Sequence, residues 1–154
     1  MPALPQRLVC FPPARSMGQL FVRTWARERY TFWEQWGEAR GSVLVPAGKE
    51  LRLNVSLQAS TDLSPLAGLQ ADDLQYLQLS STRVGDADLV HLQGLTGLRV
   101  LWLYDTRVSD AGLVHLRGLR GLRVLNLRST WVSSGGVDAL QQYLPECEIR
   151  RAWT

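Results

Sequence analysis

The stretch LRVLWLYDTRVSDAGLVHLRGLRG, residues 98–121, reads in two halves. In the first, Leu101 and Leu103 alternate with Val100, Trp102 and Tyr104, the period of two required by a strand with one buried face. In the second, Leu113, Leu116 and Leu119 recur every third residue, the spacing of a short helix or 3₁₀ turn. Neither half can bury its leucines alone. The pattern occurs twice more at a spacing of 24 residues, as LQYLQLSSTRVGDADLVHLQGLTG from Leu74 and LRVLNLRSTWVSSGGVDALQQYLP from Leu122. A degenerate copy, ELRLNVSLQASTDLSPLAGLQADD, precedes them about two residues out of register, and a truncated one, ECEIRR, follows. Stacking such units makes one continuous core, with Asp86, Ser109 or Asp110, and Ser133 placed to cap the first helical turns.

The unit L-x-x-L-x-L-x-x-T-x-V resembles the leucine-rich repeat family over roughly residues 50–150. A threonine (Thr82, Thr106, Thr130) stands where many family members have asparagine, followed by V-S-D-A-G-L in the middle copy, as in a bacterial form of the repeat. The resemblance implies an internal hydrogen-bond ladder at that position, so these hydroxyls are expected to satisfy backbone groups at the bend. The expected fold class is α/β: a short right-handed leucine-rich-repeat solenoid over residues 50–154, with a parallel concave sheet, short convex helices and a C-terminal terminator. A small β-rich cap over residues 1–49 precedes it.

In that leading segment MGQLFVRTW and GSVLVPAGKELRLNV read as strands, with PAGK as a turn between residues 43–45 and 51–55, and LVCF as a further candidate. Period alone leaves ARERYTFWEQWGEARG open between a loop and a helical turn. Its aromatics, Tyr30, Phe32, Trp33 and Trp36, are expected to pack between cap and solenoid. At the other end Cys147 and Ile149 read as a last inward-facing partial strand, with Arg150, Arg151 and Trp153 beyond.

Composition is that of a globular chain, 45% hydrophobic and 20% charged, with sixteen arginines, one lysine and a formal net charge of +3. That excess is too small to imply nucleic acid by itself. No apolar run approaches the ~18 residues of a membrane span, and the beginning offers only LVCF as an apolar stretch, so a cytoplasmic protein is expected. Cys10 and Cys147 lack metal-ligand spacing and are expected as reduced, mostly buried thiols.

Catalytic motifs are absent from the sequence. Gly48-Lys49 lacks the rest of a phosphate-binding loop, and there is no GxSxG or GxGxxG. His91 and His115 share one repeat position but have no third ligand, since Ala139 occupies the next equivalent, so no metal or cofactor is expected. Asp86 and Asp110 are assigned to helix capping rather than acid/base work. No enzyme is expected.

Binding residues follow from the rows that stacked strands create. Outward positions give Tyr76, Val100 and Val124; then Gln78, Trp102 and Asn126; then Ser80, Tyr104 and Arg128. Ser81, Asp105 and Ser129 stand at the strand exits, and Arg83, Arg107 and Trp131 on the loop. Exposed Trp, Tyr and Arg are types enriched at interface hot spots. The candidate site is therefore Tyr76, Gln78, Val100, Trp102, Tyr104, Asp105, Asn126, Arg128 and Trp131, receiving a protein or peptide. Coverage of Trp102 by its neighbours or by the N-terminal module is the competing reading. Two other partners stay open: nucleic acid or an anionic surface on a basic convex strip of Arg99, Arg117, Arg120 and Arg123, and self-association through the aromatics, giving a monomer or a weak homodimer.

Overall fold

The computed structural model describes residues 4–24, 32–56 and 62–152. Nine strands form in it: β1 Arg7–Cys10, β2 Gly18–Thr24, β3 Glu34–Glu38, β4 Ser42–Val45, β5 Lys49–Val55, β6 Tyr76–Gln78, β7 Val100–Trp102, β8 Val124–Asn126 and β9 Glu148–Arg150. Seven of them make one mixed sheet in the order β3-β2-β5-β6-β7-β8-β9, and β1 pairs separately with β4. The first three strands of the large sheet are antiparallel and the remainder parallel.

This corrects the expected fold class. The short leucine-rich-repeat solenoid, a parallel concave sheet lined by short convex helices, is not what forms. β5 pairs with β2 on one side and β6 on the other, so the antiparallel strands belong to the same sheet as the repeats. Helical backing is sparse: the 3₁₀ segments Ser64–Gly68, Asp86–Leu92 and Asp110–Leu116, and a single α-helix among the described residues, α1 Ser134–Tyr143. A three-residue leucine spacing fits a 3₁₀ turn as well as a helix, and three of the four helical segments among the described residues take the tighter form. The fold is a different α/β arrangement, dominated by its mixed sheet.

Other local expectations also shift. Residues 34–38 of the aromatic-rich segment form a strand, not a loop or helical turn, because they can pair with β2. Tyr30 and Trp153 lie outside the described residues. PAGK turns the chain, with Gly48 at φ 76°, yet the strands it joins pair with different partners and make no hairpin. Cys10 is exposed, unlike buried Cys147, because alternation along β1 turns Val9 inward and Leu8 and Cys10 out.

The core is a continuous ladder of leucines. Leu53, Leu77, Leu101 and Leu125 stand in register on β5 to β8 and are buried. Burial of each such side chain contributes roughly 1.5–3 kcal/mol, which is why strands of three residues suffice when every neighbour repeats them. Gly121 permits the close stacking of units, since a Cβ there would lie 2.6 Å from the Thr96 carbonyl oxygen. Ser81, Asp105 and Ser129 adopt left-handed backbone at φ 57°, 54° and 55°. In this conformation Ser81 and Asp105 donate their N–H groups to the carbonyls of Tyr104 and Arg128 in the next unit, at 2.8 and 3.1 Å.

Polar side chains complete the bends. The hydroxyls of Thr82, Thr106 and Thr130 donate to the carbonyls of Leu79, Leu103 and Leu127 at 2.6–2.7 Å, each within its own unit rather than along a ladder between units. Asp86 and Asp110 are not the caps. Ser109 and Ser133 accept from Ala111 and Gly136 N–H groups, whereas Gly85 precedes the Asp86–Leu92 segment. The two carboxylates reach across units instead. Asp86 accepts from the Ser109 N–H and Oγ at 2.7 and 2.6 Å, and Asp110 from those of Ser133 at 2.8 and 2.5 Å.

Candidate binding face

Parallel register fixes one side of the sheet row by row. Arg52, Tyr76, Val100, Val124 and Glu148 align in one row, and Asn54, Gln78, Trp102, Asn126 and Arg150 in the next. The antiparallel strands extend both rows, because β2 sets Phe21 opposite Arg52 and Gln19 opposite Asn54. Since alternate residues of a strand share a face, Arg23, Phe21, Glu50 and Arg52 stand on the side that carries Tyr76 and Trp102.

Trp102 is 41% exposed. It shares the lining of a cavity of about 80 Å³ with Trp33, Arg52, Tyr76, Leu77, Gln78 and Val100. Tyr76 meets Trp33 edge to face, with ring centroids 4.7 Å apart. The Arg23 guanidinium lies 4.6 Å from the centre of each of those rings and donates to the Tyr76 hydroxyl. Such cation–π contacts attract the guanidinium to both rings. Burial, with Glu50 nearby, pushes the Tyr76 phenol above its ordinary value, so its proton stays in place near neutral pH.

Charge is concentrated behind these rings. Glu50 is 1% exposed and accepts from Arg23 Nε at 2.8 Å, while Arg99 Nη1 lies 3.3 Å from its other oxygen. That second oxygen has an ion pair but no well-angled hydrogen bond. Arg52 lies beside this group, with its Nε 2.7 Å from Asn54 Oδ1 and its charge 5.9 Å from the Trp33 ring centre. Burial, and then the neighbouring Arg23 charge, lower the Arg52 pKa from its ordinary value.

The site residues drawn from the sequence fall into three groups. Tyr76, Gln78, Val100 and Trp102 line the cavity, and Asn126 flanks Trp102 in register. Gln78 and Asn126 each use their side-chain oxygen to accept an N–H two residues on, from Ser80 and Arg128, at 2.9 and 3.1 Å. Tyr104, Asp105 and Arg128 stand beyond the strand ends, Tyr104 and Arg128 half-buried and Asp105 exposed, with Arg128 Nε donating to the Ala152 carbonyl. Trp131 is 71% exposed but lies outside the cavity lining, where its backbone bridges to Ser109.

Sequence reasoning missed Trp33, Arg23, Arg52 and Glu50 as parts of this face. The available signal was alternation in KELRLNV, where Glu50, Arg52 and Asn54 interleave with Leu51, Leu53 and Val55. Of the residues of the proposed basic strip, Arg99 pairs with Glu50, Arg123 with Glu146 at 3.3 Å, and Arg117 lies 4.6 Å over Tyr143. His115 Nδ1 lies 3.0 Å from Gln93 Nε2, and no group of three or more potential metal ligands occurs among the described residues. Burial raises the Cys147 thiol to about 11, which keeps it protonated at neutral pH. No described helix is long and apolar enough to cross a membrane.

No family model matches the chain, and a search of curated proteins returns no match.

Proposed function

We propose that this chain is a non-catalytic recognition module that binds a protein or peptide on the exposed face of its mixed sheet, centred on Trp102. The observation that carries this reading is the cavity lined by Trp33, Tyr76 and Trp102 together with Leu77, Val100 and the amide of Gln78. An apolar slot with aromatic walls and a few convergent polar groups is the form a side-chain anchor requires. Its lining of rings, aliphatic groups, one amide and one guanidinium suits contact better than proton transfer or nucleophilic attack. Tyr104, Asp105, Asn126, Arg128 and Trp131 extend the same surface along the strand exits as its more polar border.

The test is capture of a partner from the native host with a tagged chain. Trp102→Ala combined with Tyr104→Ala is expected to keep the thermal unfolding curve within a few degrees and to lose the captured protein. Unchanged capture by a folded double variant contradicts the proposal.

A further inference from the structure

Among the described residues Glu50 supplies the one carboxylate of the cluster behind the cavity, with one oxygen paired to Arg23 and the other 3.3 Å from Arg99. Arg52 stands at the cavity wall against a neutral partner, the Asn54 amide oxygen, and beside the like charge of Arg23. The wall of an apolar slot is thus cationic, and a guanidinium held half-buried there attracts a carboxylate more strongly than an open surface would. The slot, about 80 Å³, suits one aliphatic side chain rather than a folded surface.

We infer that the occupant of this cavity is an acidic segment of a partner protein, one aliphatic side chain seated between Trp33 and Trp102 and an adjacent carboxylate paired with Arg52. The inference deepens the binding proposal and rests on it. Trp33 and Tyr76 hold the slot open, Gln78 borders it, and Arg52 selects for charge. A basic segment would meet Arg52 and Arg23 as like charges and be rejected.

Three labelled, capped peptides test this against the full-length chain by fluorescence anisotropy: Gly-Glu-Leu-Glu-Gly, its Gln-Leu-Gln counterpart and its Lys-Leu-Lys counterpart, with oligothymidylate as a fourth probe. The acidic peptide is expected to bind about tenfold more tightly than the neutral one, the value of one charge-assisted contact, with the advantage shrinking as salt rises. Arg52→Gln removes that advantage without abolishing binding, and Arg52→Lys restores part of it; thermal melts of both show that they are folded. Equal affinity for acidic and neutral peptides overturns the acidic preference and leaves the peptide-binding proposal standing. Binding of none of the three, or tighter binding of oligothymidylate that is lost in Trp102→Ala, overturns both.

Discussion

The two ends of the seven-stranded sheet solve the same problem differently. In the parallel part, strands of three residues repeat one hidden leucine in register, and each unit is fastened to the next by exposed or half-buried polar links such as Asp86 to Ser109. In the antiparallel part, seven-residue strands β2 and β5 carry their own apolar side and place a buried carboxylate, Glu50, and two arginines, Arg23 and Arg52, on the opposite face, against Arg99 and the edge-to-face pair Trp33–Tyr76. Repetition makes the parallel part stable through uniformity and leaves its outer side free to vary. The antiparallel part gains a rigid ionic and aromatic junction that turns one edge of that outer side into a cavity.

Removing one charge from each part tests the contrast. Glu50→Ala leaves Arg23 and Arg99, each only about a fifth exposed, without their carboxylate. Loss of about 3 kcal/mol is expected in urea unfolding. Asp86→Ala removes two hydrogen bonds to Ser109 at a half-buried site and should cost about 1–2 kcal/mol. Equal losses would mean that the antiparallel junction is no more committed than a link between repeats.

A smaller effect sharpens the account of the repeats. Ser129 holds a left-handed backbone at φ 55°, a conformation that glycine adopts without steric penalty. Ser129→Gly is expected to raise stability by about 0.5–1 kcal/mol, whereas an unchanged or lower midpoint would show that the side chain contributes more than the backbone strain removes. The smallest effect is read in pH. Hydrogen bonds from Ser133 hold the Asp110 carboxyl below the ordinary carboxylate range. Its folded pKa is depressed, so the stabilisation is present above the unfolded value near ~3.9 and is lost as pH falls through the folded one. The stability difference between the parent and Asp110→Asn should therefore narrow as pH drops below about 4.

How far the sequence reveals this molecule differs between the same two parts. The 24-residue spacing locates β6, β7 and β8 and their register, because a one-residue slip would expose every leucine in the ladder. It does not reveal that the helical half closes as 3₁₀ turns, since a three-residue leucine spacing fits either form, nor that the aspartates bond the following unit rather than cap their own. Pairing of β5 with β2 is a contact across a long stretch of chain with no repeat to announce it, so the order β3-β2-β5 and Arg52 at the cavity wall were not legible, whereas Trp33 was already expected to pack between cap and repeats. Trp102, Tyr76, Gln78 and Val100 could be numbered in advance as outward residues; Arg52 in the same lining could not.

The six tryptophans offer the most direct test of the binding face, because each indole N–H gives its own signal in a ¹⁵N-edited proton spectrum. Assigned by single Trp→Phe substitutions, those signals are followed as the acidic Glu-Leu-Glu peptide is titrated in. Trp33 and Trp102, which both line the cavity, are expected to shift together and to saturate with one affinity, while exposed Trp36 and Trp131, outside its lining, stay in place. Shifts confined to Trp36 or Trp131, with Trp33 and Trp102 unmoved, would contradict the account.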